Sequence, residues 1–234
     1  MTQTVSLSFF RFDGPMARFW ALSMMAMARG PMARTPDIGF WKLCGSGTGE
    51  GFTPRLAPDV YAILATWPSH DVAQQRVKDA TIYRRYRDAA VEDWTVFLAP
   101  TSVRGQWSGQ EPFMAQSAAT GTLAALTRAT IRPNILRRFW GRVPDISGMI
   151  GQNADVAFKI GIGEVPMLQQ VTFSIWPNKA SMDAFARTGP HAEAIRAVRD
   201  EGWFKEELYA RFAVQSDSGT WGGTSPLAKL ETAA

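Results

Sequence analysis

The chain repeats itself at long period, and this restricts its fold more than any other feature. Arg18-Phe19-Trp20 recurs as Arg138-Phe139-Trp140, 120 residues later. Trp41-Lys42 is matched by Phe158-Lys159 at an offset of 117, and Gly49-Glu50 by Gly163-Glu164 at 114. Ala65-Thr66-Trp67-Pro68 is matched by Ser174-Ile175-Trp176-Pro177 at 109, and Trp107-Ser108-Gly109 by Trp221-Gly222-Gly223 at 114. Five landmarks in one order with nearly constant offset indicate two copies of one unit.

The first copy reads as a strand Thr4–Arg11, rich in β-branched and aromatic residues, then an apolar helix Pro15–Arg34. An extended, Gly-rich stretch Gly39–Phe52 follows, then a strand Val60–Thr66. A helix Ser69–Ala90, capped by Ser69 or Asp71, leads to a strand Trp94–Pro100. The second copy repeats the order: strand Leu123–Ile131, helix Asn134–Ile150, strands Val156–Ile162 and Gln169–Trp176. Its last helix begins at Lys179, passes a Gly-Pro break and is expected to reach Tyr209, before a strand Ala210–Gln215. The pattern is βαββαβ twice, so the expected class is α+β: tandem ferredoxin-like units forming an α+β barrel. Each four-stranded sheet carries its helices on one face, and the second copy covers the other. The polar stretch Ser108–Thr122 divides an N-terminal unit, 1–115, from a C-terminal unit, 116–234.

Composition removes several functions. A formal charge of +4 without a long Lys/Arg block gives no nucleic-acid surface. The pair Arg137-Arg138 reads as a solvated helix edge or a contact with anionic lipid. The single cysteine, Cys44, excludes an intrachain disulfide and cysteine-based zinc or iron–sulfur sites, and suits a reducing cytoplasm. The N-terminus lacks a secretory signal pattern. The longest apolar run, Phe19–Ala28, is about half a membrane span and reads as a buried or interfacial helix.

Only two histidines occur. His70 reads as part of an exposed polar turn opening a helix. His191, in Arg187-Thr-Gly-Pro-His-Ala-Glu-Ala-Ile-Arg196, shares its helix face with Ala194, Ile195, Val198 and Gly202. Glu193, Arg196 and Asp200 point away. A lone imidazole among apolar neighbours is either a satisfied core histidine or a ligand for a metal or haem iron. With two histidines a multi-histidine site is disfavoured, whereas haem needs one ligand. Cys44 reads as a small buried hydrophobe or a haem thiolate. Gly45, Gly47 and Gly49 fit neither a phosphate loop nor a dinucleotide fingerprint; they form a bulged strand connection or an anion-holding nest, for instance for a propionate. Arg128, Arg132 and Arg211 read as surface ion pairs, or as charges that hold a propionate or act beside bound oxygen. Glu206-Glu207 reads as a solvated pair on the last helix turns. The methionines of the first helix read as core, or as lining for a long apolar ligand.

Several long runs match a known family. Ser8-Phe-Phe-Arg-Phe-Asp13, Lys42-Leu-Cys-Gly-Ser-Gly-Thr-Gly-Glu-Gly-Phe-Thr-Pro54 and Val60-Tyr-Ala-Ile-Leu-Ala-Thr-Trp-Pro68 resemble the spheroidene monooxygenases, the carotenoid 2-ketolases of purple photosynthetic bacteria. So do Thr188-Gly-Pro-His191 and Glu201-Gly-Trp-Phe-Lys-Glu-Glu-Leu-Tyr-Ala-Arg-Phe212. The resemblance implies a monooxygenase carrying haem b, with dioxygen as cosubstrate and reduced ferredoxin as electron donor. Two hydroxylations at C2 of spheroidene, an acyclic carotenoid, would give a geminal diol that loses water to leave spheroidenone. It implies His191 as axial ligand to the haem iron, with Arg211 as a candidate on the opposite side. A cytoplasmic protein with peripheral contact at the inner or intracytoplasmic membrane would suit the water-insoluble substrate; a homo-oligomer stays open. The rival readings are a cofactor-free α+β-barrel enzyme and a carotenoid or lipid carrier.

Overall fold

The computed structural model describes residues 2–116, 121–141, 155–187 and 201–231. Eight antiparallel strands close a barrel within one chain, in the order β1-β3-β2-β6-β7-β5-β8-β4. The first half supplies β1 (Thr4–Arg11), β2 (Trp41–Gly47), β3 (Leu56–Trp67) and β4 (Glu92–Gly105). The second supplies β5 (Leu123–Ile131), β6 (Phe158–Val165), β7 (Gln169–Trp176) and β8 (Phe204–Gly219). Both halves have the same internal order, so the barrel carries an internal pseudo-two-fold. The sheets join edge to edge, like with like: β4 pairs with β8 over eleven residue pairs, but β2 meets β6 over only two.

The short seam is reinforced by the Gly-rich loop after β2. It folds over the outer face of β6, where Gly161 N donates to the Glu50 carbonyl at 2.7 Å. A Cβ on Gly51, at φ 88°, would sit 1.7 Å from the Gly161 carbonyl oxygen, so only glycine fits there.

Inward-facing residues fill the barrel. Phe9, Trp94, Phe158 and Phe173 pack centrally, with Phe9 stacked on Trp94 at 5.6 Å and Trp94 tilted on Phe158 at 4.6 Å. Cys44 lies in this core at 0% exposure. Outside the first half lie α1 (Pro15–Met27), α2 (Arg29–Ala33), α3 (His70–Asp79) and α4 (Thr81–Ala89). Outside the second lies α5 (Lys179–Arg187), and α6 (Ala228–Glu231) ends the described chain. No described helix is long and apolar enough to cross a membrane.

The expected helices are broken where their faces must turn. The Pro15–Arg34 helix divides at Ala28, three residues before Pro31, whose ring and missing N–H resist continuation. The Ser69–Ala90 helix divides at Ala80, which is extended at φ −63°, ψ 133°. No breaker residue marks that point. Arg87 stabilises the break by donating to the Val77 carbonyl at 2.6 Å and to the Lys78 carbonyl. Ser69 is the cap, accepting from Val72 N at 3.3 Å. The helix expected to reach Tyr209 does not: Gly202 takes φ 59° and β8 begins at Phe204. From Leu208 to Phe212, even positions are buried and odd ones half-buried, the period of a strand. Helix residues 136–141 open the expected Asn134 helix after a 3-10 turn at Pro133–Ile135; its remainder, to Ile150, lies outside the described residues.

Candidate functional site: the outer sheet face of the second half

Ladder pairing shows which positions correspond between the halves. On the outer face of the first half, Trp41, Ala65, Ser6 and Phe97 form one row, and Leu43, Ile63, Ser8 and Thr95 the next. Tyr61, Phe10 and Asp93 follow. Tyr61, Ile63, Phe10, Leu43 and Phe97 are buried beneath α1–α4 with Met24, Met32, Tyr83 and Tyr86. The corresponding rows of the second half are Lys159, Ser174, Ala125, Arg211; then Gly161, Thr172, Thr127, Tyr209; then Gln170, Ala129, Glu207. Most large apolar residues have become small or polar: Ile63 corresponds to Thr172, Leu43 to Gly161, Phe10 to Ala129 and Phe97 to Arg211, while Thr95 runs the other way and corresponds to Tyr209. Among the described residues, the corner at Trp176 keeps the packing of its counterpart, Trp67, with Met182 and Phe185 of α5 against it.

This face therefore presents a floor of small side chains, with Thr127, Thr172 and Ala125 half-buried. Arg211 stands at its edge, 3.2 Å from Asp183 of α5, which also pairs with Lys179. Tyr209 donates to Glu207 at 2.9 Å. The Gly-rich loop borders the face over β6, where Lys159 pairs with Glu50. Gly45 pairs across the seam with Gly163, beside the bulge between Gly45 and Ser46. Gly47 lies close under the loop, since a Cβ there would come within 2.5 Å of the Thr53 carbonyl. Gly47 and Gly49 also line a cleft of about 950 Å³ with Arg11, Lys159 and Trp221. His191 lies outside the described residues; α5 leads toward it and the chain returns at Glu201.

Arg128 points the other way, into the barrel, at 1% exposure. It is a buried ion-pair partner and not a surface one: it binds Glu206 and stands 4.0 Å from Glu164. Glu164 also accepts from Trp107 Nε1 at 2.5 Å and pairs with Lys42 at 2.8 Å. Glu206 accepts from Ser108 N at 3.0 Å and Gly109 N at 2.7 Å. Burial pushes the Glu206 carboxyl up, but those N–H groups and Arg128 outweigh it and hold it below the usual carboxylate range. Glu206 is therefore a strand residue in an ionic cluster, not a solvated helix residue. Arg132 is exposed, donating to the Phe204 carbonyl at 3.4 Å.

The same device occurs at the opposite end of the barrel. Glu92 accepts from Gly223 N at 2.8 Å and pairs with Arg11 at 2.9 Å, and Arg11 lies over Trp221 at 4.3 Å. The repeated Trp-Ser/Gly-Gly motifs are thus tight turns, Trp107–Gln110 and Trp221–Thr224, that stopper the two ends. Their positive φ values at Ser108, Gly109, Gly222 and Gly223 explain the residue choice.

Cys44 faces the same interior cluster. Burial, first, and then the charge of Glu164 push its thiol up, against the smaller opposing effects of Lys42 and Arg128. A thiol held protonated inside the core is a packing residue. His70 is half-buried rather than exposed: its Nε2 lies 2.8 Å from Ser216 Oγ and its ring stands edge-on to Phe97. Among the described residues no group of three His, Cys, Asp or Glu could hold a metal ion.

Among solved structures, two aldoxime dehydratases share the fold. One superposes with a TM-score of 0.63 at 11% identity, over 92% of this chain and 82% of the other. The second, in complex with butyraldoxime, gives 0.67 at 9%, over 98% and 86%. No family model matches the sequence. Three curated relatives do. The spheroidene monooxygenase of Cereibacter sphaeroides is 51% identical over 99% of this chain and 72% of its own length. That of Rhodobacter capsulatus is 47% identical over 95% of each chain. That of Rubrivivax gelatinosus is 35% identical over 89% of this chain and 81% of its own. Fold and site define a single-chain α+β barrel of two ferredoxin-like halves, the second with mostly small and polar side chains on its outer sheet face. The chain belongs to the spheroidene monooxygenase family and is an oxidoreductase of the monooxygenase class.

Proposed function

We propose that the chain is a haem-dependent carotenoid monooxygenase. It oxidises C2 of spheroidene to the ketone, giving spheroidenone, with dioxygen as oxidant and reduced ferredoxin as the electron source. The spheroidene monooxygenase relatives support the substrate. The observation that carries the cofactor reading is the replacement of Phe10, Ile63 and Leu43 by Ala129, Thr172 and Gly161 in the middle of the second outer sheet face. A planar macrocycle needs a flat floor without bulky residues. Thr127, Thr172, Ala125 and Ala129 fit that requirement, whereas Tyr61, Ile63 and Phe10 in the first half would fill the same space.

In this reading His191 would hold the iron of haem b and the small residues of this sheet face would receive the macrocycle. The haem, when bound, supplies the activation of dioxygen that C–H oxidation requires. Arg211, on this sheet face, would place a positive charge beside the bound group, and its Asp183 partner fixes the direction of the guanidinium. The Gly45, Gly47 and Gly49 loop lies at the border of the face and would meet an edge of the macrocycle. Arg128 is left out because it points into the barrel. Each hydroxylation consumes one dioxygen, two electrons and two protons, and releases one water. The second places two hydroxyls on C2, and loss of water leaves the ketone.

Haem-reconstituted wild type, His191→Ala and Cys44→Ala should be compared by ferric, reduced and carbon monoxide-bound spectra and by conversion of spheroidene. Wild type and Cys44→Ala should share one Soret band and form ketone. His191→Ala should lose or shift the band and form none. Ketone formation by protein that takes up no haem would overturn the cofactor. A wild-type spectrum in His191→Ala would overturn the ligand.

A further inference from the structure

Helix α1 is apolar on both sides. Its inner side, with Ala21 and Met24, is buried on the first sheet. On its outer side Met16 is 80% exposed, Phe19 71%, Leu22 57% and Met27 56%. These four share one face of the helix at 3.6 residues per turn. The neighbouring helices behave differently: α4 buries Ile82, Tyr83 and Tyr86 and turns Arg84, Arg85 and Asp88 to solvent. A helix with an apolar solvent side needs a partner.

Charge selects the partner. Between Asp13 and Asp37 the chain has three arginines, Arg18, Arg29 and Arg34, and no acid. Arg18 reaches back to Asp13 at 3.3 Å, whereas Arg29 of α2 donates to the Met25 carbonyl of α1 at 3.3 Å and Arg34 is exposed. A second copy docked on this face would set a net positive patch against itself. We infer that α1 is a membrane-docking helix that lies in the interface of an anionic bilayer, with Phe19 and Leu22 among the acyl chains and Arg29 and Arg34 on phosphates. This inference rests on exposure and charge, independently of the carotenoid reading.

The test is co-sedimentation of the full chain with phosphatidylcholine vesicles, with and without phosphatidylglycerol, at low and high salt. Wild type should bind the anionic vesicles and release as salt rises. Phe19→Ser combined with Leu22→Gln should lower the partition at least about tenfold, because two apolar side chains lose their burial. Arg29→Glu combined with Arg34→Glu should abolish the preference for phosphatidylglycerol. The substituted side chains are exposed, and an unchanged thermal melt confirms the fold. Absence of binding by wild type, or wild-type binding by the Phe19/Leu22 variant, overturns the proposal. A wild-type dimer by light scattering that the Phe19/Leu22 variant converts to monomer also overturns it, in favour of a second copy. Carotenoid conversion in detergent micelles, run in parallel, should be unaffected by either variant. Its failure in wild type would count against the proposed reaction alone.

Discussion

The two halves of the barrel share topology, strand order and even their stoppering turns, but they use their outer faces differently. In the first half the rows built on Tyr61, Ile63, Leu43 and Phe10 form a second hydrophobic core under four helices. In the second half the same ladder positions hold Gln170, Thr172, Gly161 and Ala129. The difference teaches that one strand topology can carry two chemically distinct outer faces. The first copy places large apolar side chains on its outer face, and the second places mostly small and polar ones at the same ladder positions. The inner faces diverged in one place as well, where the central Phe9 of the first half corresponds to the buried, ion-paired Arg128 of the second.

Filling the second face is the most direct way to break the comparison. Thr127→Trp or Ala129→Phe should reduce haem uptake and ketone formation more than about 100-fold, as misplacement of a reacting group does. The fold should persist, since the second residue restores what Phe10 does in the first half; circular dichroism and haem titration check both points. If a Trp at position 127 leaves haem uptake intact, the face is not the site.

The stoppering ion pairs give the next largest effect. Glu206→Gln removes a partner from Arg128, which is 1% exposed, and should destabilise by about 3–5 kcal/mol. Glu92→Gln leaves Arg11, 37% exposed, able to hydrate, and should cost about 1 kcal/mol or less. Urea unfolding of the two variants measures the contrast. Packing follows. Ile63→Thr should cost about 2 kcal/mol, because a buried methyl is lost and a hydroxyl must find a partner. Thr172→Ile, the reverse exchange on the half-buried face, should change stability by less than about 1 kcal/mol while weakening haem uptake.

The smallest effect is in pH. Burial raises the Glu92 carboxyl, but the N–H groups of Gly223 and Gly222, Arg11 and Thr220 outweigh it, so Glu92 and Glu206 both lie below their ordinary range when folded. Their contribution is present above the unfolded glutamate value of about 4.3 and is lost as pH falls through the folded values. Melting temperature should therefore drop on acidification below about pH 4.3. Glu206→Gln should flatten that limb.

Much of this architecture is legible along the chain. The strands Leu123–Ile131 and Gln169–Trp176 lie where alternation and turn residues put them. The start of β8 was not legible from composition, because Phe204 to Tyr209 mixes charged and apolar residues compatible with a helix. Gly202 is the signal that ends it, through its left-handed backbone. The break at Ala80 has no local signal at all, since its stabilising contacts come from Arg87. In β2 and β6 the apparent repeat, Trp41-Lys42 with Phe158-Lys159, is one residue out of register. Trp41 pairs with Ala65 and faces outward, as does Lys159, which pairs with Ser174, while Phe158 points into the barrel. A one-residue shift exchanges the faces of a strand, so similar letters need not mark equivalent positions.

The sequence by itself determined two copies of a βαββαβ unit, with strand and helix periods that make each a ferredoxin-like sheet. These are local properties, written in spacing and in glycine and proline placement. Tertiary structure decided which edges close the barrel, which way Arg128 and Arg211 point from neighbouring strands, and that Glu206 meets Arg128 across 78 residues. It also decided that one outer face gathers large apolar side chains into a core while the other gathers small and polar ones. The physical reason is that side-chain direction in a sheet depends on register, and register is fixed by pairing between segments far apart in the chain.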